Sequence, residues 1–487
     1  MSNAETSKST EVVPTLGWYS ATAIVAGSMI GSGIFVVTPD VARHVGSAGL
    51  LMAVWIVTGI ITVLGATSYG KLAAHMPKAG GQYVFLREAW GEVPAFLYGW
   101  VLLSVIQTGF LAAVAVAFAK YFGILVPAIN DDLFWTVPFS ESFGLSTQRL
   151  LAVVVLFGLT VFNCTGIKNG ALLQNVFTSL KVLSLLLLII VGFSYGQGHL
   201  WDGSHNWALA LPANHEMGQN LLTLLAFASV GSLFSADAWN YVTFIGGEVK
   251  NPRVNLPIAL TWGTVVVVTL YVIANLAYLS LLPMEAIQHA ENDRVATAGV
   301  EVMFPGYGMT LMAIIILVST FGCLNGMLLA GARVFYAMAK DNLLFKKFGE
   351  LHPVTKSPNF SMWAQFGWAC VLAVSGTYGT LLGYIVFSTL VFYVVTMLGL
   401  IKMGKQQPQE MQMTKTSDFV IPWTYIAAAS FIAFFLLFGD FLSGGLPEGD
   451  AFFSSKFFTS IAGLILAAIG LPIYWVWKAI KKPVAGT

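Results

Sequence analysis

The chain has 487 residues, of which 57% are hydrophobic and only 10% charged, and its mean hydropathy is +0.77. Soluble domains carry about 25% charged residues, so this composition excludes a soluble protein and points to a chain embedded in a bilayer. A net charge of +1 offers nothing to nucleic acid, and three cysteines (Cys164, Cys323, Cys370) in or beside apolar stretches exclude a disulfide framework.

Residues 1–15 are polar and lack the charged start, short apolar core and cleavage site of a signal peptide, so the first apolar stretch is expected to be retained. A bilayer core of about 30 Å takes about 20 apolar residues per helix. Twelve stretches qualify: 16–45, 48–74, 94–122, 148–166, 169–194, 218–246, 256–282, 305–338, 360–376, 379–401, 421–439 and 457–478. The first is interrupted by GSMIGSGIF at 27–35, where three glycines and two serines sit at mid-helix. Glycine lets a helix unwind, and a broken helix at mid-membrane depth is one way secondary transporters build a binding site. A small-residue face for close helix packing fits the spacing equally well. The sixth stretch is interrupted in the same way by SVGSLFSADA at 229–238, and it contains the ionisable residue Asp237. The fifth carries Lys181 near its middle, too deep to reach water easily. The eighth is long enough for its last turns to project into water.

Two interrupted stretches, each the first of a group of five, suggest a repeat. An odd number of helices per unit makes the second copy inverted, and paired breaks are the best sequence pointer to a transporter's site. Orientation follows from lysine and arginine. With the N-terminus inside, eighteen fall on the cytoplasmic side, five outside (Arg43, Lys120, Arg149, Arg294, Lys456) and Lys181 within the membrane. Both termini are then cytoplasmic.

Five stretches carry a resemblance: GSMIGSGIF at 27–35, MPKAGGQYVFLREAWG at 76–91, LQNVFTSLKVLSL at 173–185, GGEVKNPRVNLPIAL at 246–260 and GARVFYAMAKDNLL at 331–344. In this order and spacing the chain resembles the amino acid–polyamine–organocation superfamily, and within it bacterial permeases similar to L-type amino acid transporters. The resemblance implies an all-α integral membrane fold of twelve transmembrane helices. It would be a LeuT-like five-plus-five inverted repeat with helices 1 and 6 broken, plus two extra C-terminal helices. The expected organisation is a tail at 1–15, a ten-helix transport core at 16–401, peripheral helices at 402–478 and a tail at 479–487.

The resemblance also implies residue roles. Backbone N–H groups of Ile30, Gly31, Ser32 and Gly33 would hold a substrate carboxylate, helped by the positive end of the following half-helix. Carbonyls near Ala26 and Gly27 would accept its ammonium. Phe234 aligns with an aromatic gate beside Ser235. Asp237 stands where a glycine is common. It could contact the substrate, carry a coupling proton, or cap the second half-helix. Lys181 would take the place of a sodium ion, either as a fixed charge or as a proton carrier. Arg87 and Glu88 are expected to pair with Glu248, Arg253, Arg333 or Asp341 as an inner gate, although solvated loop charges are common.

Other features are expected to be bland. His199, His205 and His215 match no helical metal spacing. Trp18, Tyr19, Trp100, Trp475 and Trp477 read as interface belts. No phosphate-binding loop is present, and neither metal nor cofactor is called for. The 120–148 loop lacks the cysteine by which mammalian light chains of this family bind a heavy subunit. The expectation is therefore a sodium-independent transporter of amino acids, neutral ones first, by exchange or proton coupling. It is not an enzyme, and it is placed in a bacterial inner membrane with no heavy-chain partner. The rivals are a cationic amino acid or polyamine carrier, and more distantly a membrane sensor or channel.

Overall fold

The computed structural model describes residues 14–137, 140–196, 200, 206–209, 221–375, 378–442 and 455–481. His199, His205 and His215, and most of both terminal tails, lie outside them.

The described chain is helical apart from one hairpin, β1 (Trp135–Val137) and β2 (Ser140–Leu145). The helices are α1 (Trp18–Met29), α2 (Gly33–Val36), α3 (Thr38–Val45), α4 (Ala48–His75), α5 (Gln82–Trp90) and α6 (Glu92–Leu125). Next come α7 (Thr147–Cys164), α8 (Ile167–Tyr195), α9 (Leu221–Ser235), α10 (Tyr241–Phe244), α11 (Pro252–Leu281) and α12 (Met284–Gln288). The last are α13 (Val295–Met303), α14 (Gly308–Lys340), α15 (Asn359–Val374), α16 (Tyr378–Gln406), α17 (Ser417–Leu442) and α18 (Lys456–Lys481). Among the described residues, ten helical segments are long and apolar enough to cross a bilayer, and α9 and α15 are shorter apolar helices.

Local chemistry sets the ends. Ser47 accepts the Leu50 N–H at 3.2 Å to start α4, and Ser146 accepts the Arg149 N–H at 3.1 Å to start α7. Pro252 opens α11 at a position where the missing N–H costs nothing. Gly46, with φ +66°, ends α3.

The faces are reversed relative to a soluble protein. On α8, Leu172, Val176, Leu180, Leu183, Leu187 and Ile190 form an exposed apolar stripe at helical spacing, while Gln174, Thr178 and Lys181 point inward. An apolar exterior around a polar interior is stable only in lipid, where polar groups must be satisfied internally. The last turns of α14 correct the expectation that they reach water. Arg333, Met338 and Ala339 are buried there by protein.

The core forms where the interrupted segments meet. α1 packs on α8, α11 and α14, and α9 packs on α4, α16 and α17. The most extensive pairings are α4 with α11 and α6 with α14.

Candidate functional site

The first interruption leaves α1 at Met29 and resumes at Gly33. Unwinding frees backbone carbonyls and N–H groups, and the structure treats the two kinds differently. The Ala26 carbonyl takes the Ile30 N–H at 3.0 Å. The Lys181 ammonium reaches the Gly27 carbonyl at 2.5 Å, Ile30 at 2.7 Å and Ser319 at 3.2 Å. An ammonium has three donors, so Lys181 is saturated. The Cys323 thiol lies 3.1 Å from the Ser28 carbonyl, Tyr271 Oη 3.0 Å from Met29, and Ser319 Oγ 3.0 Å from Gly31. The carbonyls from Ala26 to Gly31 are therefore satisfied within the protein.

The donors are not. Among the described residues, the N–H groups of Gly31, Ser32 and Gly33 find no protein acceptor, and the buried Ser28 hydroxyl has no partner. This arrangement revises three sequence expectations. The Ile30 N–H is spent on Ala26, so Ile30 contributes its carbonyl to Lys181 instead. Ala26 and Gly27 are also committed, to Ile30 and Lys181, rather than left open for an ammonium.

The second interruption lies directly against the first. A Cβ on Gly33 would strike the Ser235 hydroxyl and sit 3.0 Å from the Ser235 Cα, so glycine is what lets the two breaks touch. Tyr271 Oη is also 3.2 Å from the Ser235 carbonyl, tying both breaks to α11. Ser28, Gly31, Ser32, Gly33, Phe234, Ser235 and Asp237 line one cavity of about 20 Å³, with Phe110, Cys323 and Met327. The third and eighth apolar stretches, α6 and α14, were expected to help close the pocket, but Phe110, Cys323 and Met327 were not singled out, since such residues carry no signal in an apolar stretch.

Phe234 stacks on Phe110, with ring centroids 4.9 Å apart and planes at 14°. One turn further along the same helices, Val230, Gly231, Val116 and Ala117 line a much larger cavity of about 840 Å³. The aromatic pair thus lies between this vestibule and the small cavity. Ser32 borders both.

Asp237 falls in the gap between α9 and α10. Tyr393 Oη donates to its Oδ1 at 2.6 Å, and Ala238 beyond it has φ +67°.

The opposite face is sealed. Arg333 Nε donates to Glu248 Oε1 at 3.1 Å, and both side chains are buried. Burial raises the Glu248 carboxyl above its ordinary range, and Arg333 draws it part of the way back. Arg87 pairs with Asp341, which also accepts from Tyr83 Oη at 2.8 Å. Among the described residues, Glu88, which is exposed, pairs with its neighbour Arg87 at 3.3 Å and joins no other ion pair, and Arg253 joins none. Backbone contacts complete the closure: Gly80 N–H to Phe244 at 2.9 Å, and the Thr15 and Leu16 N–H groups to Glu248 at 2.8 and 2.9 Å.

A family model described as "Amino acid permease" matches residues 16–467. The chain belongs to the amino acid permease family. It is 31% identical to the mouse large neutral amino acids transporter small subunit 2 over 462 residues, covering 95% of this chain and 80% of the relative. It is 29% identical to the mouse Asc-type amino acid transporter 1 over 472 residues, covering 96% and 82%. It is 27% identical to the serine/threonine exchanger SteT of Bacillus subtilis (strain 168) over 469 residues, covering 96% and 97%. This permease is an integral membrane protein and not an enzyme, as the sequence led one to expect.

Proposed function

We propose that this permease carries neutral amino acids by alternating access, exchanging one for another without sodium. The observation that carries the reading is the asymmetry of the first break. Its carbonyls are filled by protein donors, while the N–H groups of Gly31, Ser32 and Gly33 and the Ser28 hydroxyl stay open. Open donors in a buried site suit an anion, and an α-carboxylate is the anion common to all amino acids. The α-ammonium then lies toward the Ser235 end of the cavity, away from the filled carbonyls of the first break.

The small cavity is narrower than an amino acid, so substrate entering from the vestibule parts Phe110 from Phe234. Phe234 closes over it afterwards as the outer gate. The Glu248–Arg333 and Arg87–Asp341 pairs hold the inner gate, with Glu88 outside it. Lys181 substitutes for a cation by tying α1 to α8 and α14.

Twelve spans in a LeuT-like inverted repeat are supported by the packing. If segment n corresponds to segment n + 5, the α4–α11 and α6–α14 pairings map onto themselves, and the α1–α8 pairing maps onto α9–α16. The basic-residue distribution supports an orientation with both termini and the sealed face in the cytoplasm, and the membrane is read as a bacterial inner membrane. The tails at 1–15 and 479–487, the core at 16–401 and the peripheral helices at 402–478 follow from that layout. The mouse relative is named as a small subunit; without a cysteine in 120–148, this chain is read as working without a covalent heavy chain. A second reading, a cationic substrate, rests on Asp237, which borders the site with no cation beside it.

The test is labelled amino acid uptake by the purified protein in liposomes, empty or preloaded, with and without sodium. Uptake that requires internal amino acid and ignores sodium supports exchange. Strict sodium dependence would overturn the role given to Lys181.

A further inference from the structure

Asp237 has an environment that the carboxylate-binding site does not explain. It borders three cavities. One is the small site between the breaks. A second, of about 20 Å³, lies toward α4 and α17 and is bordered by Trp239 and Tyr425. The third, of about 10 Å³, runs toward the sealed face and is bordered by Gln82 of α5 and Phe244 of α10. About 10–15 Å³ is room for one water molecule, provided polar partners are at hand.

The third cavity has such partners. Tyr241 and Thr389 line it, both are buried, and neither hydroxyl has a partner among the described residues. The cavity also abuts a π-helical turn of α6, Leu102–Ile106, which contributes Leu102 and Ile106 to its wall. Such turns are rare and favour functional sites.

The groups facing Asp237 can all be named. They are Tyr69 of α4, Tyr98 of α6, Tyr241 of α10, Tyr393 of α16 and Tyr425 of α17. Cys323 of α14 shares its cavity, and Tyr271 of α11 lies beyond at the Ser235 carbonyl. No lysine, arginine or histidine pairs with it among the described residues. A lone carboxylate at this depth is costly while charged. Hydroxyls and single waters are, however, suitable proton carriers.

We propose that Asp237 is a proton-binding site, loaded from the substrate side and emptied toward the sealed face through these water-sized cavities, so that the inward half of each exchange carries a proton that the outward half does not return. The inference rests on the transporter reading above and names a second ligand for the same site. The binding step is a simple transfer: the carboxylate takes a proton from water on one side and returns it to water on the other. No redox partner is involved. Because Asp237 lies between α9 and α10, movement of α10 changes which cavity it meets.

The experiment uses the full-length protein in liposomes that contain a pH-sensitive dye, with labelled serine, alanine, leucine and lysine as probes. Wild-type protein should move protons when amino acid is added, and its uptake should change by about tenfold per pH unit on one limb of the profile. D237N should transport more slowly, with no proton signal and a pH profile flat to within about twofold. Y241F and T389V, which remove the cavity hydroxyls, should weaken the proton signal more than counterflow. These two variants and the wild-type dye signal decide the matter even if D237N fails to fold. Normal wild-type counterflow without proton movement would overturn the proposal and leave the transporter reading intact. Loss of lysine preference in D237N with an unchanged pH profile would overturn it in favour of side-chain recognition. No uptake of any probe by wild-type protein would overturn the transporter reading itself.

Discussion

Replacing Glu248 by Gln tests whether the sealed face is a latch. Arg333 is 2% exposed and Glu248 4%, and they share one hydrogen bond of 3.1 Å. Arg333 also donates to the Leu329 carbonyl at 2.6 Å, while its Nη2 and Glu248 Oε2 have no partner among the described residues. Removing one member of a buried pair leaves an uncompensated charge and costs about 3–5 kcal/mol. That penalty applies only while the face is closed, because water reaches Arg333 once it opens. The closed-to-open equilibrium should therefore shift toward opening by about two to four orders of magnitude. The reporter is Cys323, which borders the substrate cavity, in protein whose Cys164 and Cys370 are replaced by Ser. An impermeant thiol reagent applied from the sealed face should label Cys323 at least tenfold faster in E248Q, and more slowly from the vestibule. The double variant E248L/R333L, which leaves no lone charge, should fall between E248Q and wild type. Unchanged labelling from both faces in a folded E248Q protein would show that the pair is structural only.

Three further outcomes follow from the site. Gly33→Ala places a Cβ against the Ser235 hydroxyl and 3.0 Å from its Cα, so uptake should fall more than tenfold, with partial recovery in G33A/S235G. Phe234→Ala removes one ring of the 4.9 Å stack, so substrate should dissociate faster, with KM raised more than the maximal rate is lowered. The purified chain alone should transport, and reducing agent should change neither its rate nor its mobility on a gel. A requirement for a second protein would refute the reading that this chain works alone, and a gel shift removed by reducing agent would refute the absence of a covalent partner.

The sequence made the membrane class plain because a helix that crosses lipid needs a long apolar run. It also located both breaks, since matching glycine and serine runs in the first helix of each group of five favour interruption over a packing face. What it could not show was which backbone atoms remain open. That depends on donors arriving from α8, α11 and α14 (Lys181, Tyr271, Ser319 and Cys323), of which only Lys181 stood out in sequence. Ile30 was misread for this reason, because one further helical hydrogen bond to Ala26 removes its N–H. The gate charges were legible as a set but not as pairs. Two carboxylates, Glu248 and Asp341, were candidate partners for Arg87 in the other loops, and only packing selected Asp341. The π-helical turn of α6 has no sequence signature at all, since LLSVI reads as ordinary helix.

Lys181 shows why a cation belongs at the back of this site. Carbonyls freed by a broken helix form a negative cluster, and leaving buried carbonyls unpaired costs about 1–3 kcal/mol each. The Gly27 and Ile30 carbonyls converge on one point, and a single ammonium neutralises both while anchoring to Ser319. Lys181→Met removes the donor but keeps the stem. Part of the lost bonding is offset, because the ammonium no longer has to be desolvated. The melting temperature should therefore fall by only a few degrees, whereas transport should fall more than tenfold as α1 loses its tether to α14. Lys181→Arg should not restore it, since a planar fork spreads its donors instead of converging them. A small variant such as Lys181→Ala leaves the same carbonyls around an empty space suited to a monovalent cation, so residual uptake should become stimulated by sodium. Full-rate, sodium-indifferent transport in K181M would mean that the break holds its shape without any charge behind it.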